Sequence, residues 1–124
     1  MERSKRLNRT LDIQRVRRQG KSIAHPLFVL VYYRDPSLES PMIGVIASKA
    51  VGGAVERNRA KRVLRSAAAE LEEHIEPDQM ILLLARKAIL DHDSTEIRDI
   101  LAEQLKKAGI YQDREQEPAA SDNS

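Results

Sequence analysis

The sequence predicts an α+β or α/β sandwich in which one sheet is backed by helices. Three observations lead there. Two short runs, Leu27–Tyr33 and Gln79–Ala85, are dense in β-branched, aromatic and aliphatic residues, as buried strands are. A long segment from Ala54 to Ile75 repeats its apolar residues at helical spacing. Strand-like and helix-like segments also alternate, in the order helix, two or three strands, helix, strand, helix.

Each element has its own local signals. Arg3–Arg9 is basic and aperiodic, so residues 1–9 read as an N-terminal arm. Thr10 is placed to cap a short helix that runs to about Gln19, with Leu11, Ile13 and Val16 as apolar positions and Gly20 as its stop. Strand character follows over Lys21–His25 and, after Pro26, over Leu27–Tyr33. Arg34–Ser40 carries Asp, Pro and Ser and reads as a turn-rich connection. Met42–Ser48 is a further strand, and Val51-Gly52-Gly53 a flexible loop. The helix from Ala54 to Ile75 would span roughly 33 Å at about 1.5 Å per residue, and Pro77-Asp78 breaks it. Asp91–Asp93 reads as a turn. Asp93 or Ser94 caps a last helix to about Ala108, Glu96 gives a capping-box spacing, and Gly109 ends it. Residues 10–110 thus form one domain. Residues 111–124, polar and acidic, read as a disordered tail.

Composition narrows the function. The 124 residues hold no cysteine, which excludes disulfides, thiolate metal sites and thiol catalysis. No apolar run reaches the roughly 18 residues of a membrane span, and the charged N-terminal stretch is followed by no apolar signal core. A cytoplasmic location is the expectation. The net charge of +2 conceals a division. Residues 1–66 carry 15 Lys and Arg against 5 Asp and Glu, a net of +10, whereas residues 67–124 carry 6 against 14, a net of −8. Segregated positive charge points to a polyanion, because clustered cations gain from Coulomb attraction and counterion release at a phosphate backbone.

The charge concentrates on the central helix. At about 100° per residue from Arg57, Lys61 lies at ~40°, Arg65 at ~80°, Asn58 at ~100° and Arg62 at ~140°, with Arg59 on the shoulder at ~200°. Val63, Ala67, Ala60, Leu71 and Leu64 occupy the arc from ~240° to ~340°. Five cations within nine residues repel one another and do not serve helix stability. One arc is therefore expected to pack on the sheet and the other to meet phosphate. Gly52-Gly53 before the helix allows close backbone approach to an anion at the helix N-terminus, although the P-loop pattern GxxxxGK[ST] is absent.

The stretch Ser48-Lys49-Ala50-Val51-Gly52-Gly53-Ala54-Val55-Glu56-Arg57-Asn58-Arg59-Ala60-Lys61-Arg62-Val63-Leu64-Arg65 resembles the signature of the protein subunit of bacterial ribonuclease P, approximately SKKxGxAVxRNRxKRxxRE. It matches at Ser48, Lys49, Gly52, Ala54, Val55, Arg57, Asn58, Arg59, Lys61, Arg62 and Arg65, and departs at Ala50 and Ser66. The likeness extends over about residues 7–110. The resemblance implies a two-layer αβββαβα sandwich like ribosomal protein S5 domain 2, with a left-handed βαβ crossover that runs against the usual preference. It implies a subunit of an endoribonuclease of tRNA processing, whose partners are the catalytic RNA and precursor tRNA. The RNA removes the 5′ leader with Mg²⁺, and the protein holds no firmly bound cofactor or metal and no catalytic residue. It implies that Lys49, Arg57, Asn58, Arg59, Lys61, Arg62 and Arg65 contact the catalytic RNA. A second surface, between the first helix and the sheet, would hold the single-stranded leader, with Ile13, Arg17, Lys21, Phe28 and Val31 as its candidates. The family pattern has Phe at the places of Ile13 and Arg17, so leader binding here is expected to lean on Arg17 and Lys21 more than on stacking.

Other constellations carry less. His25, His74 and His92 have no metal-ligand spacing, and Asp91-His92-Asp93 reads as a turn and cap rather than an ion site. Ser48-Lys49 reads as strand end beside the phosphate-binding loop rather than nucleophile and base. Two rivals remain: a ribosomal-type or general RNA-binding module, and a DNA-binding protein that inserts the basic helix in a groove.

Overall fold

The computed structural model describes residues 5–6 and 10–112. It contains strands β1 (Lys5–Arg6), β2 (Lys21–Ala24), β3 (Phe28–Arg34), β4 (Met42–Ile46) and β5 (Gln79–Ala85), and helices α1 (Thr10–Gln19), α2 (Ala54–Leu71) and α3 (Ser94–Ala108). Among the described residues no helix is long and apolar enough to cross a membrane.

The strands form one mixed sheet in the order β1-β4-β5-β3-β2. β3 lies antiparallel to both β2 and β5, while β4 runs parallel to β5. A parallel pair requires a crossover, and α2 supplies it between β4 and β5. Lys5–Arg6, within the segment read as an arm, add a parallel edge to β4. The remaining positions of that segment, 1–4 and 7–9, lie outside the described residues.

Two apolar clusters sit on opposite faces of the sheet. On one face Phe28, Leu30, Ile81 and Leu83 meet Ala60, Leu64, Ala67 and Leu71 of α2 and Ile97, Leu101 and Leu105 of α3. On the other, Val31, Met80 and Leu82 are covered by Val16 of α1, and Ile13, Val29, Ile46 and Leu84 remain half-buried beside them. Alternation along β3 and β5 explains why neighbouring residues of one strand feed different clusters.

The helices begin and end for local reasons. Gly20 permits α1 to turn directly into β2: a Cβ there would lie 2.5 Å from the Val16 carbonyl oxygen and 2.7 Å from that of Tyr32. The Asp93 carboxylate accepts from the Glu96 N–H at 3.0 Å and Glu96 accepts in return from the Asp93 N–H, a complete capping box. Gly109 closes α3 with φ +79°. The central helix is shorter than its periodicity suggests. It gives way at Leu71 to a 3₁₀ turn, Glu72–His74, and Ile75 turns extended to bridge Tyr111. A second 3₁₀ turn, Lys87–Asp91, was not anticipated; it buries Ile89 beneath the helical layer.

The chain expected to be a disordered tail from residue 111 is held at its first two positions. The Gln112 N–H donates to the His74 carbonyl, the His74 Nδ1 lies 2.9 Å from the Gln112 carbonyl oxygen, and the Tyr111 ring stacks on His74 at 5.2 Å. Residues 113–124 lie outside the described residues.

Candidate nucleic-acid interface

α2 is two-faced as its sequence requires. Ala60, Leu64, Ala67, Ala68 and Leu71 are buried, whereas Asn58, Arg59, Arg62 and Arg65 are exposed and Lys61 is half-buried. Packing of the apolar arc on the sheet leaves the basic arc no choice but solvent. Among the described residues Lys49, Arg59, Lys61, Arg62 and Arg65 form no ion pair with a carboxylate. Their charges are therefore compensated by nothing within the described fold, the condition under which a polyanion gains most.

Arg57 is different. It is half-buried, and its Nη1 donates to the Gly52 carbonyl at 3.0 Å. It serves first to fix the loop ahead of the helix. Glu56 completes that loop by accepting from the Gly53 N–H at 3.0 Å. Gly52 itself has φ +150°, a region L side chains rarely adopt, and a Cβ there would fall 2.9 Å from the Glu56 Cβ. The loop is anchored from below by Val51, which is buried in the core. These contacts hold the Gly-Gly backbone and the first turn of α2 beside Lys49.

One residue of this surface escaped the sequence reading. Val55 is 78% exposed and shares the outward arc with Asn58, Arg59 and Arg62, at the i+3, i+4 and i+7 spacings. Its exposure could have been read from its angle on the helix.

The expected leader cleft is divided by the sheet. Ile13 and Val31 do come together on the α1 face, Val31 at 5% exposure beneath the helix and Ile13 half-buried at its edge. Arg17 is exposed on α1. Phe28 does not join them: it is fully buried on the opposite face, against the α2–α3 layer, with His25 stacked on it at 5.7 Å. Its ring offers no face to a base. Lys21 is displaced for the same reason, since its register partner is Tyr32, whose side chain packs toward the α2–α3 layer. Nothing local in a strand says which alternate residues face which helix, so both placements depended on pairing.

Two other polar clusters hold local structure. His92 lies 3.3 Å from Glu96 at the start of α3, which matches the turn-and-cap reading of Asp91-His92-Asp93. Asp35 anchors the β3–β4 turn: Ser37 donates to it through its hydroxyl at 2.8 Å and its N–H at 3.0 Å. These bonds, with Arg15 at 3.9 Å, hold the Asp35 carboxyl below the usual carboxylate range despite some desolvation.

The family model for Ribonuclease P matches residues 1–109. A ribonuclease P protein component of Listeria welshimeri is 33% identical over 114 residues, covering 92% of this chain and 96% of the relative. That of Bacillus velezensis is 35% identical over 111 residues, covering 90% and 95%. The fold superposes on the RNase P protein of Staphylococcus aureus with TM-score 0.77 and 28% identity, over 89% of this chain and 100% of that one. It also superposes on the protein from Thermotoga maritima with TM-score 0.73, at 23% identity, over 83% and 96%. Sequence signature, strand order and two-faced helix agree, and the chain belongs to the ribonuclease P protein family.

Proposed function

We propose that this protein is the RNA-binding subunit of ribonuclease P, which holds the catalytic RNA on the outward arc of α2 and the 5′ leader of precursor tRNA on the α1 face. One observation carries the reading: a row of uncompensated cations stands on a helix whose other arc is locked into the core. Arg59, Arg62 and Arg65 can fork onto phosphate oxygens, Lys49 and Lys61 act as point charges, and Asn58 can bond a base edge or ribose hydroxyl. In this reading Arg57 contributes its charge while it positions the loop through Gly52. Val55 lies flat against a sugar or base between these contacts.

On the α1 face, Ile13 and Val31 give an apolar floor and Arg17 the charge for the leader's phosphates. The catalytic RNA supplies the chemistry with its own Mg²⁺. The protein lowers the repulsion between two polyanions and so reduces the Mg²⁺ that cleavage needs. In this reading the protein acts in the cytoplasm, with its substrate.

The test is reconstitution. Added to its cognate catalytic RNA at low Mg²⁺, the protein should restore 5′-leader cleavage of precursor tRNA, and excess duplex DNA should not compete. Failure where a related subunit succeeds would favour a general RNA-binding module. Displacement by duplex DNA would favour a groove-binding helix.

A further inference from the structure

The chain is poor in aromatic residues: one Phe, three Tyr and no Trp. Their locations are informative. Phe28 is buried. Tyr111 is engaged by the His74 ring at 5.2 Å and the Lys106 ammonium at 5.0 Å. Tyr32 and Tyr33 remain, and both line one groove of about 410 Å³ together with Gln19, Lys21, Arg34, Gln79 and the end of α3. The groove opens where β3 outruns its neighbour: β2 starts at Lys21, opposite Tyr32, so Tyr33 and Arg34 extend beyond it. Close contact of Gly20 with the Tyr32 carbonyl brings Gln19 and Lys21 to its rim.

Its position separates it from the basic arc of α2. The pairs Phe28–Ala85 and Ile46–Leu84 mark one end of the sheet, from which the chain leaves β4 toward the start of α2. The pairs Arg34–Gln79 and Met42–Met80 mark the other end, where the groove lies. A further polar group points to an occupant. Gln79 is 2% exposed, its Nε2 donates to Asp78 at 3.3 Å, and its Oε1 has no partner among the described residues. Asp78 also pairs with Arg34 at 3.2 Å, so Arg34 is partly neutralised and Lys21 is the freer cation.

We infer that the groove at the Lys21–Arg34 end of the sheet binds a nucleotide of single-stranded RNA, its base against Tyr32 and its phosphate at Lys21, the residue paired with Tyr32 on the same face. The volume lies within the range of ligand pockets, roughly 300–1,000 Å³. Tyrosine faces stack bases without sequence preference. The unpartnered amide oxygen at the groove floor suits an N–H on a base edge, once a small opening of the floor admits it. In this chain the stacking platform thus stands at the far end of the sheet, while the first helix, where the family pattern has Phe, offers none. The inference rests on the RNA-binding reading above and adds a contact to it.

The experiment uses the full chain with hexauridylate, a hexamer of abasic ribose phosphate, and no catalytic RNA. Affinity is read by anisotropy, and contacts by ultraviolet crosslinking with mass-spectrometric mapping. Lys21→Glu and Tyr32→Leu should each weaken hexauridylate binding on the order of tenfold, Tyr32→Phe should restore it, and crosslinks should fall on Tyr32. The abasic hexamer should bind more weakly than hexauridylate. Lys21 is exposed, so its substitution tests the groove even if Tyr32→Leu disturbs the core against which that ring packs. Unchanged affinity in Lys21→Glu, crosslinks confined to α2, or equal binding of the abasic hexamer would overturn the inference. Leader cleavage is measured separately, so failure here leaves the ribonuclease P reading standing, and failure there leaves this one.

Discussion

Arg62→Ala offers a sharp test of the basic arc, because the structure separates its effect on binding from any effect on folding. Arg62 is exposed and makes no ion pair among the described residues, so its loss should leave the melting temperature essentially unchanged. Binding is another matter. If Lys49, Arg59, Lys61, Arg62 and Arg65 each neutralise one phosphate, the slope of log K against log salt should be roughly −3.5 to −4.5, at about 0.7–0.9 per contact. Between about 50 and 200 mM monovalent salt, affinity for the catalytic RNA should then fall about 100- to 500-fold. Arg62→Ala should make that slope shallower by about 0.7–0.9, so the variant's deficit should be about threefold larger at the low-salt end. The assay is a filter-binding or anisotropy titration over a salt series with the catalytic RNA, beside a thermal melt. An unchanged slope with weakened binding would show that Arg62 acts other than through phosphate. A lowered melting temperature would show that the arc is structural.

Three further outcomes follow from named contacts. Gly52→Ala should cost about 1–3 kcal/mol by denaturant unfolding, since alanine must adopt φ near +150° with its Cβ against Glu56; a neutral result would mean the loop relaxes freely. Gln104 is 5% exposed and its Oε1 has no partner among the described residues, so Gln104→Met should be neutral or stabilise by up to about 1–2 kcal/mol, and a clear loss of stability would refute that reading. Asp35 titrates below its unfolded value, so its contribution is present above the unfolded pKa and is lost as pH falls through the folded one. Ser37→Ala removes the main hydrogen bond, so the Asp35 titration followed by NMR should move upward and the acid sensitivity of stability should shrink; an unmoved midpoint would refute the role of Ser37.

The sequence by itself determined the kinds of element and the character of the basic helix. α1 runs Thr10–Gln19 and β5 Gln79–Ala85, as local signals indicated, and the buried arc of α2 is the one its spacing selects. Helix periodicity is a local property: each residue's angle follows from its neighbours, so Arg62 must point away from Leu64 whatever the rest of the chain does. The end of α2 was less legible. Ile75 continues the apolar pattern, yet the chain leaves the helix at Leu71 because Ile75 pairs with Tyr111, a partner far along the sequence. Strand faces were not legible at all. Phe28 and Val31 sit three residues apart on β3, so they face opposite layers. Only pairing with β5 and the seating of α2 and α3 decided which layer each one meets. The groove of Tyr32, Tyr33 and Lys21 likewise exists because β2 begins one register step short of Tyr33. A strand's own residues specify that its sides alternate, but the identity of each side is set by distant segments, which is why tertiary structure alone could separate the two surfaces of this protein.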